Sequence, residues 1–191
     1  MTHVMVDLET LATSSNALIL SIGAVKFDPT GDEISEKFHV GIDLASLPLN
    51  SYGLDIEAAT VLWWLDAQRA AGREALEAVP KADIASVLEG FGMWLDNARG
   101  EIPFKGSPPS VKVWGNGASF DNVILRNAYT KLGMDAPWKF WDDRCYRTFK
   151  NLAPSMETER MGAYHSALDD AVTQASHMQK IVRALKLTVV D

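Results

Sequence analysis

Val4-Met5-Val6-Asp7-Leu8-Glu9-Thr10, close to the start of a 191-residue chain, runs an apolar segment into two carboxylates separated by one leucine. The hydrophobic and β-branched residues from Val4 to Val6 predict a buried strand. Side chains at i and i+2 of a strand point to one face, so Asp7 and Glu9 converge while Leu8 packs behind them. Like charges held this close repel, and each takes up a proton unless a cation sits between them. A hard divalent ion answers that need. Oxygen-only ligation suits Mg²⁺ or Mn²⁺, and Mg²⁺ uses only one or two carboxylates alongside waters and substrate phosphate. Taken alone, the pair also reads as a strand running out into a solvated acidic loop.

Composition bounds what such a site serves. With 47% hydrophobic and 23% charged residues, the chain fits a single globular α/β domain over residues 1–191. Its one cysteine, Cys145, excludes an internal disulfide and a multi-thiolate zinc site, reads as packing, and fits a reducing cytoplasm. The longest apolar run, Ala17 to Val25, is too short to span a bilayer, and no basic region precedes it, so neither a membrane span nor a secretory signal is expected. A net charge of −7 argues against broad gripping of nucleic acid by a basic surface. It leaves open nucleic acid at a metal-filled cleft, where bound ions reverse the local sign.

Working outward from the first strand, Thr10 to Asn16 is a polar loop and Ala17 to Phe27 a second, largely buried strand. A turn over Asp28 to Asp32 and an alternating return from Glu33 to Ile42 complete a three-stranded antiparallel meander. Asp55 is placed to cap a helix carrying Ile56, Ala59, Leu62, Trp63 and Trp64 and ending before Gly72. A second helix is expected from Ala82 to about Asn97, then a surface loop from Gly100 to Pro109. Val111 to Trp114 reads as a short inner strand and Gly115 to Ser119 as the turn leaving it. Ser119 would cap a helix from Phe120 to about Leu132, with Asp121 in its first turn. Strand-to-helix turns of this kind are where open α/β sheets gather their sites. Asp142 to Cys145 suggests another short strand end, and Tyr146 to Leu152 a helical turn or two. The last helix is marked by Ala171, Ala175, Met178, Val182 and Leu185, a buried stripe at alternating four and three spacing.

Before that helix sits Tyr164-His165-Ser166-Ala167-Leu168-Asp169-Asp170. Ser166 and Asp169 are spaced as a capping box, which leaves Asp170 free. Residues five apart on a helix diverge by roughly 140°. His165 therefore reaches Asp170's site only from the loop ahead of the cap; otherwise it is a loop histidine bonded to backbone. His177 lies on Asp170's side of the helix but roughly 10 Å further along, too far to share a metal.

Asp7-x-Glu9, Asn116-x-x-x-Phe120-Asp121 and His165-x-Ala167-x-x-Asp170, in this order over nearly the whole chain, resemble the three motifs of the DEDDh exonucleases. This family includes bacterial polymerase proofreading subunits, ribonuclease T and oligoribonuclease. Ile19-Leu-Ser-Ile-Gly23-Ala24-Val25 resembles its second strand. The histidine variant fits, because the tyrosine variant needs Tyr at position 166, which is Ser here. Glu9-Thr10-Leu11-Ala12 lacks the glycine with which the family often continues its first motif, so the chain looks closer to small bacterial and phage members. The resemblance implies a ribonuclease H-like α/β fold, a mixed sheet of an antiparallel meander plus parallel inner strands, flanked by helices. It also implies a 3′-to-5′ exonuclease using two Mg²⁺ or Mn²⁺ ions and releasing 5′-nucleotides. Asp7, Glu9 and Asp170 would hold one ion, Asp7 would bridge to a second contacted by Asp121, and His165 would be the general base.

The implied partner is nucleic acid with a free 3′ end. The acidic surface favours single strands, and the phage-like resemblance favours DNA over RNA. No membrane partner is expected, a homodimer is compatible, and the location implied is the cytoplasm, the host's if phage-encoded. Thr10, Leu11, Trp64, Asn116, Phe120 and Arg147 are the candidate substrate contacts. Trp63 and Trp64 diverge by about 100° on a helix, so either one is exposed to stack on a base or both are buried. Phe120 packs its helix as an alternative. Arg144 and Arg147 either meet a phosphate or pair with Asp142 or Asp143. An oligoribonuclease-like RNA exonuclease, a phosphoesterase of small nucleotides and a silent nucleic-acid-binding module are the competing readings.

Overall fold

In the computed structural model, which describes residues 3–98 and 110–189, the chain builds one six-stranded sheet with helices on both faces. Strands β1 (His3–Thr10), β2 (Ile19–Phe27) and β3 (Ile34–Ile42) form the expected antiparallel meander. Helices α1 (Ala58–Leu65) and α2 (Ala70–Ala78) follow, joined by a 3₁₀ turn, Ala67–Arg69. A two-residue strand β4 (Lys81–Ala82), not foreseen, adds parallel to β3 and leads into α3 (Ile84–Ala98). Beyond residue 109 come β5 (Lys112–Gly115), α4 (Asp121–Lys131), β6 (Asp143–Cys145), α5 (Tyr146–Lys150) and α6 (Ala167–Leu185). The spatial order is β4-β3-β2-β1-β5-β6, with β5 parallel to β1 and β6 parallel to β5. Segment 100–109, read as a surface loop, lies outside the described residues.

The alternation of β1 divides the core. Val4, Val6 and Leu8 pack with α3 and α4 through Leu88, Phe91, Ile124 and Leu125. Met5 faces the other way, with Val25, Phe27 and Trp114, against Ala171, Ala175, Met178 and Val182 of α6. Asp7 and Glu9, in phase with Met5, are thereby carried on the α6 face.

Several boundaries differ from the sequence expectation. Glu57 is the N-cap of α1, while Asp55 accepts a hydrogen bond from the Ser14 hydroxyl and its backbone is tied to the loop after β1. Gly72, expected to terminate that helix, lies inside α2, where a Cβ would come within 2.8 Å of the His165 Cβ. Phe120 occupies the N-cap position of α4, with no side-chain cap bond, where Ser119 was expected. Ser166 caps α6 in position only: the Asp169 carboxylate accepts from the Ala163 N–H at 2.8 Å and so secures the preceding loop instead of closing a capping box. Leu185, expected in the buried stripe of the last helix, is exposed. No helix among the described residues is long and apolar enough to cross a membrane.

Candidate active site

Three features of the sheet bring the carboxylates together. Asp7 pairs in register with Gly23 on β2, and a Cβ at Gly23 would lie 2.1 Å from the Ala167 carbonyl carbon. The glycine lets the first turn of α6, with Asp170, rest directly over Asp7. A register shift between Glu9 and Thr10 twists the end of β1, as bulges beside active sites do. On the other side, β5 stops at Gly115, opposite Val6, and the backbone amides of Leu8, Asn116 and Asp121 itself favour the ionised form of the Asp121 carboxylate. Gly115 again has no room for a side chain, because its Cβ would meet Asn122 Oδ1 at 2.5 Å.

Carboxylate oxygens of Asp7, Glu9 and Asp170 all lie within 4.8 Å of one another. Glu9 and Asp121 are buried, at 8% and 3% exposure, and Asp7 and Asp170 partly so. Burial first, then the Asp170 and Asp121 charges, pushes Glu9 from 4.5 up to about 8, and Arg160 pulls it back in part. Asp121 is raised to about 7 by burial, against the backbone donors and the nearby Arg147. Asp7 lies well above the usual carboxylate range through burial and the charges of Asp121, Glu9 and Asp170, while a 2.8 Å hydrogen bond from Gln174 Nε2 works the other way. Such a cluster is complementary to a hard divalent cation: its donors are all oxygens, it is short of positive charge, and its ligand atoms are close enough to share an ion.

His165 sits in the loop ahead of α6 with φ +61°, the left-handed region. Its ring lies edge-on to Trp63 at 4.9 Å, with Trp64 at 6.4 Å. Burial and Arg69 lower its pKa, and Asp170 opposes them. The imidazole is therefore neutral at lower pH than an ordinary histidine, as a proton acceptor must be.

A cleft of about 440 Å³ opens beside Glu9, and Thr10, Trp63, Trp64 and Phe120 contribute to its walls. Trp64 is the buried member of the pair, its ring N–H donating to Thr10 O at 2.9 Å, and the more exposed Trp63 carries Arg69 over its face. The exposed ring of the pair is therefore Trp63, and Trp64, the expected substrate contact, is buried. Leu11 packs against the core and lies outside the cleft. Arg147 stands against Gly117 and acts on Asp121. Neither alternative partner for the arginines is used: Asp142 pairs with Lys112 at 2.9 Å, Asp143 pairs with Arg126, and Arg144 donates to backbone carbonyls. Asn116 lines a second recess, on the Asp170 side.

Sequence reasoning missed Gln174 and Arg160. Gln174 had a signal, since it follows Asp170 by four residues and so shares its face of α6. Arg160, which pairs with Asp170, lies in an irregular loop with no periodicity to mark it. His177, set aside as too distant, is bonded to the Tyr146 hydroxyl at 2.6 Å and to Met156 O at 3.1 Å, away from the carboxylates.

A family model described as 3′-5′ exoribonuclease Rv2179c-like domain matches residues 2–182. Among solved structures, the chain is similar to the nuclease domain of 3′hExo, a DEDDh family member bound to rAMP. That likeness has a TM-score of 0.60 and 12% identity, covering 99% of this chain and 96% of that one. It is also similar to exonuclease X in complex with 5′ overhanging duplex DNA, with a TM-score of 0.55 and 17% identity over 97% and 94% of the two chains. E. coli exonuclease I in complex with a dA16 oligonucleotide gives 0.59 and 16% identity, over 95% of this chain and 40% of that longer one. At these identities the structural likeness carries the fold, the ribonuclease H-like fold of DEDDh exonucleases. No curated protein sequence gives a significant match.

Proposed function

We infer that this chain, which belongs to the Rv2179c-like family of 3′-5′ exoribonuclease domains, acts as a single domain. It removes nucleotides from the 3′ end of single-stranded RNA, using two Mg²⁺ or Mn²⁺ ions. The observation that carries the reading is the convergence of Asp7, Glu9 and Asp170 within 4.8 Å, beside a cleft walled by Trp63 and Phe120. The phage-like resemblance favoured DNA, but the family description turns the proposal to RNA.

Asp7, Glu9 and Asp170 would hold one ion, and Asp7 with Asp121 the other. Two such ions, when bound, stabilise the attacking and leaving oxygens of an in-line phosphoryl displacement. Gln174 holds Asp7 through its 2.8 Å hydrogen bond. The Leu8 and Asn116 amides favour the ionised form of Asp121. His165 accepts the proton of the attacking water, and its lowered pKa keeps it in the accepting form at neutral pH. The exposed face of Trp63 takes the terminal base, because stacking tolerates any sequence.

Matched RNA and DNA oligonucleotides, labelled at the 5′ end and incubated with Mg²⁺ or Mn²⁺, test the reading. A ladder shortened from the 3′ end, faster for RNA and absent for Asp170→Asn, is expected. Faster shortening of DNA would overturn the substrate assignment. Hydrolysis of mononucleotide esters alone, or binding without turnover, would overturn the activity.

A further inference from the structure

Arg160 is placed among the motif residues by a loop that contributes no motif of its own. One guanidinium nitrogen, Nη1, donates to Asp170 Oδ1, and the guanidinium lies over the Tyr164 ring at 4.6 Å. Its charge acts on Glu9 and His165 as well. The other terminal nitrogen, Nη2, is buried with no hydrogen-bond partner among the described residues. Leaving such a donor unsatisfied is costly unless a ligand meets it.

Asn116 and Gln174 line a recess of about 200 Å³ together with Arg160, and each carries a further orphan: Asn116 Oδ1 and Gln174 Oε1 are buried without partners among the described residues. The bond from Gln174 Nε2 to Asp7 leaves Oε1 as that amide's free end. Lys150 and Asp170 complete the relevant wall. Two cations and a set of unmet polar groups border the carboxylates of a chain whose net charge is −7. Of these groups the donors, Arg160 Nη2 and the Lys150 ammonium, are the ones that fit an anion, and a guanidinium's planar fork suits a phosphate.

We propose that Arg160 is a built-in counter-cation of the metal site: it neutralises Asp170 until a divalent ion claims that carboxylate, and then grips a non-bridging oxygen of the substrate's phosphodiester. One cation thus serves two anions in succession. The ion pair restrains Asp170 and lowers charge repulsion in the metal-free protein. Because metal and Arg160 compete for Asp170, metal binding frees the guanidinium for the substrate. Substrate that engages Arg160 in turn favours metal at Asp170, as linkage requires. The inference rests on the assignment of Asp170 as a metal ligand.

The test is a Mn²⁺ titration, read by the paramagnetic resonance signal of the free ion without nucleic acid, on wild type, Arg160→Gln, Arg160→Lys and Asp170→Asn. Arg160→Gln is expected to bind Mn²⁺ about tenfold tighter than wild type, equivalent to about 1.4 kcal/mol. Arg160→Lys, which keeps the charge, is expected to stay near wild type. At saturating Mn²⁺, Arg160→Gln is expected to raise KM for an RNA oligonucleotide about tenfold while kcat changes much less, and Arg160→Lys to restore part of that affinity. Equal or weaker Mn²⁺ binding by a folded Arg160→Gln, or an unchanged KM, would overturn the proposal. If Asp170→Asn bound Mn²⁺ as well as wild type, the metal-site assignment itself would fall, a result distinguishable from failure of the Arg160 role alone.

Discussion

Replacing Glu9 with Gln should stabilise the metal-free protein, by an amount that grows with pH. Burial and the Asp170 and Asp121 charges raise Glu9 from 4.5 to about 8. Between those values the folded chain keeps a proton that the unfolded chain has released, so stability falls as pH rises. The effect is absent below about pH 4.5, where both states are protonated, and complete above about pH 8, where both are ionised. At about 1.4 kcal/mol per pH unit, the gap from 4.5 to about 8 amounts to roughly 4–5 kcal/mol for wild type. Glutamine has no proton to release, so Glu9→Gln loses this slope. Urea unfolding in the presence of a chelator at pH 5, 7 and 9 measures it: near-equal stabilities at pH 5 should separate by several kcal/mol at pH 9. Adding Mn²⁺ should narrow the difference, since a ligand at a hundred times its Kd stabilises the state it binds by about 2.7 kcal/mol and the variant lacks one carboxylate. Parallel pH profiles for the two proteins in chelator, or equal stabilisation of both by Mn²⁺, would refute the reasoning.

His165→Ala should lower kcat by roughly 10² to 10⁴ with Mn²⁺ binding retained, and should remove an acid limb lying below the ordinary histidine value; a pH–rate profile checks both. Gly23→Ala should cost about 1–3 kcal/mol, the range for an overpacked core, and weaken Mn²⁺ binding too, since the new methyl displaces the backbone at Ala167 that carries Asp170 over Asp7. Calorimetry with and without Mn²⁺ separates the two effects. The adjacent tryptophans should part company. Trp64→Ala is expected to cost about 3–5 kcal/mol of stability, as buried aromatic truncations do, whereas Trp63→Ala should leave the melting temperature nearly unchanged and raise KM for RNA.

The local pattern determined much of this protein. Strand alternation put Asp7 and Glu9 on one face without any tertiary information, and the stripe of α6 marked that helix as amphipathic, its Ala171, Ala175, Met178 and Val182 facing the core. The meander, the inner strand at Lys112–Gly115 and the strand-to-helix turn before Asp121 were legible for the same reason: hydrophobic period and turn chemistry are short-range signals. Three motifs in order then named the chemistry.

What the sequence left open was decided by contacts between segments distant in the chain. Gly72 reads as a helix stop until His165, 93 positions later, is seen to need the space above it. Ser166 and Asp169 have capping-box spacing, yet the carboxylate goes to Ala163 because the loop folds back on the helix start. Which tryptophan is left exposed depends on how α1 is rolled, with the bond from Trp64 to Thr10 across 54 residues holding Trp64 inside. Arg160 lies in an irregular loop where no period can announce it, and the fold alone sets it on Asp170. Periodicity reveals the face a residue takes within its own element, but not which distant side chain will meet it there, because that choice is made only when the elements pack.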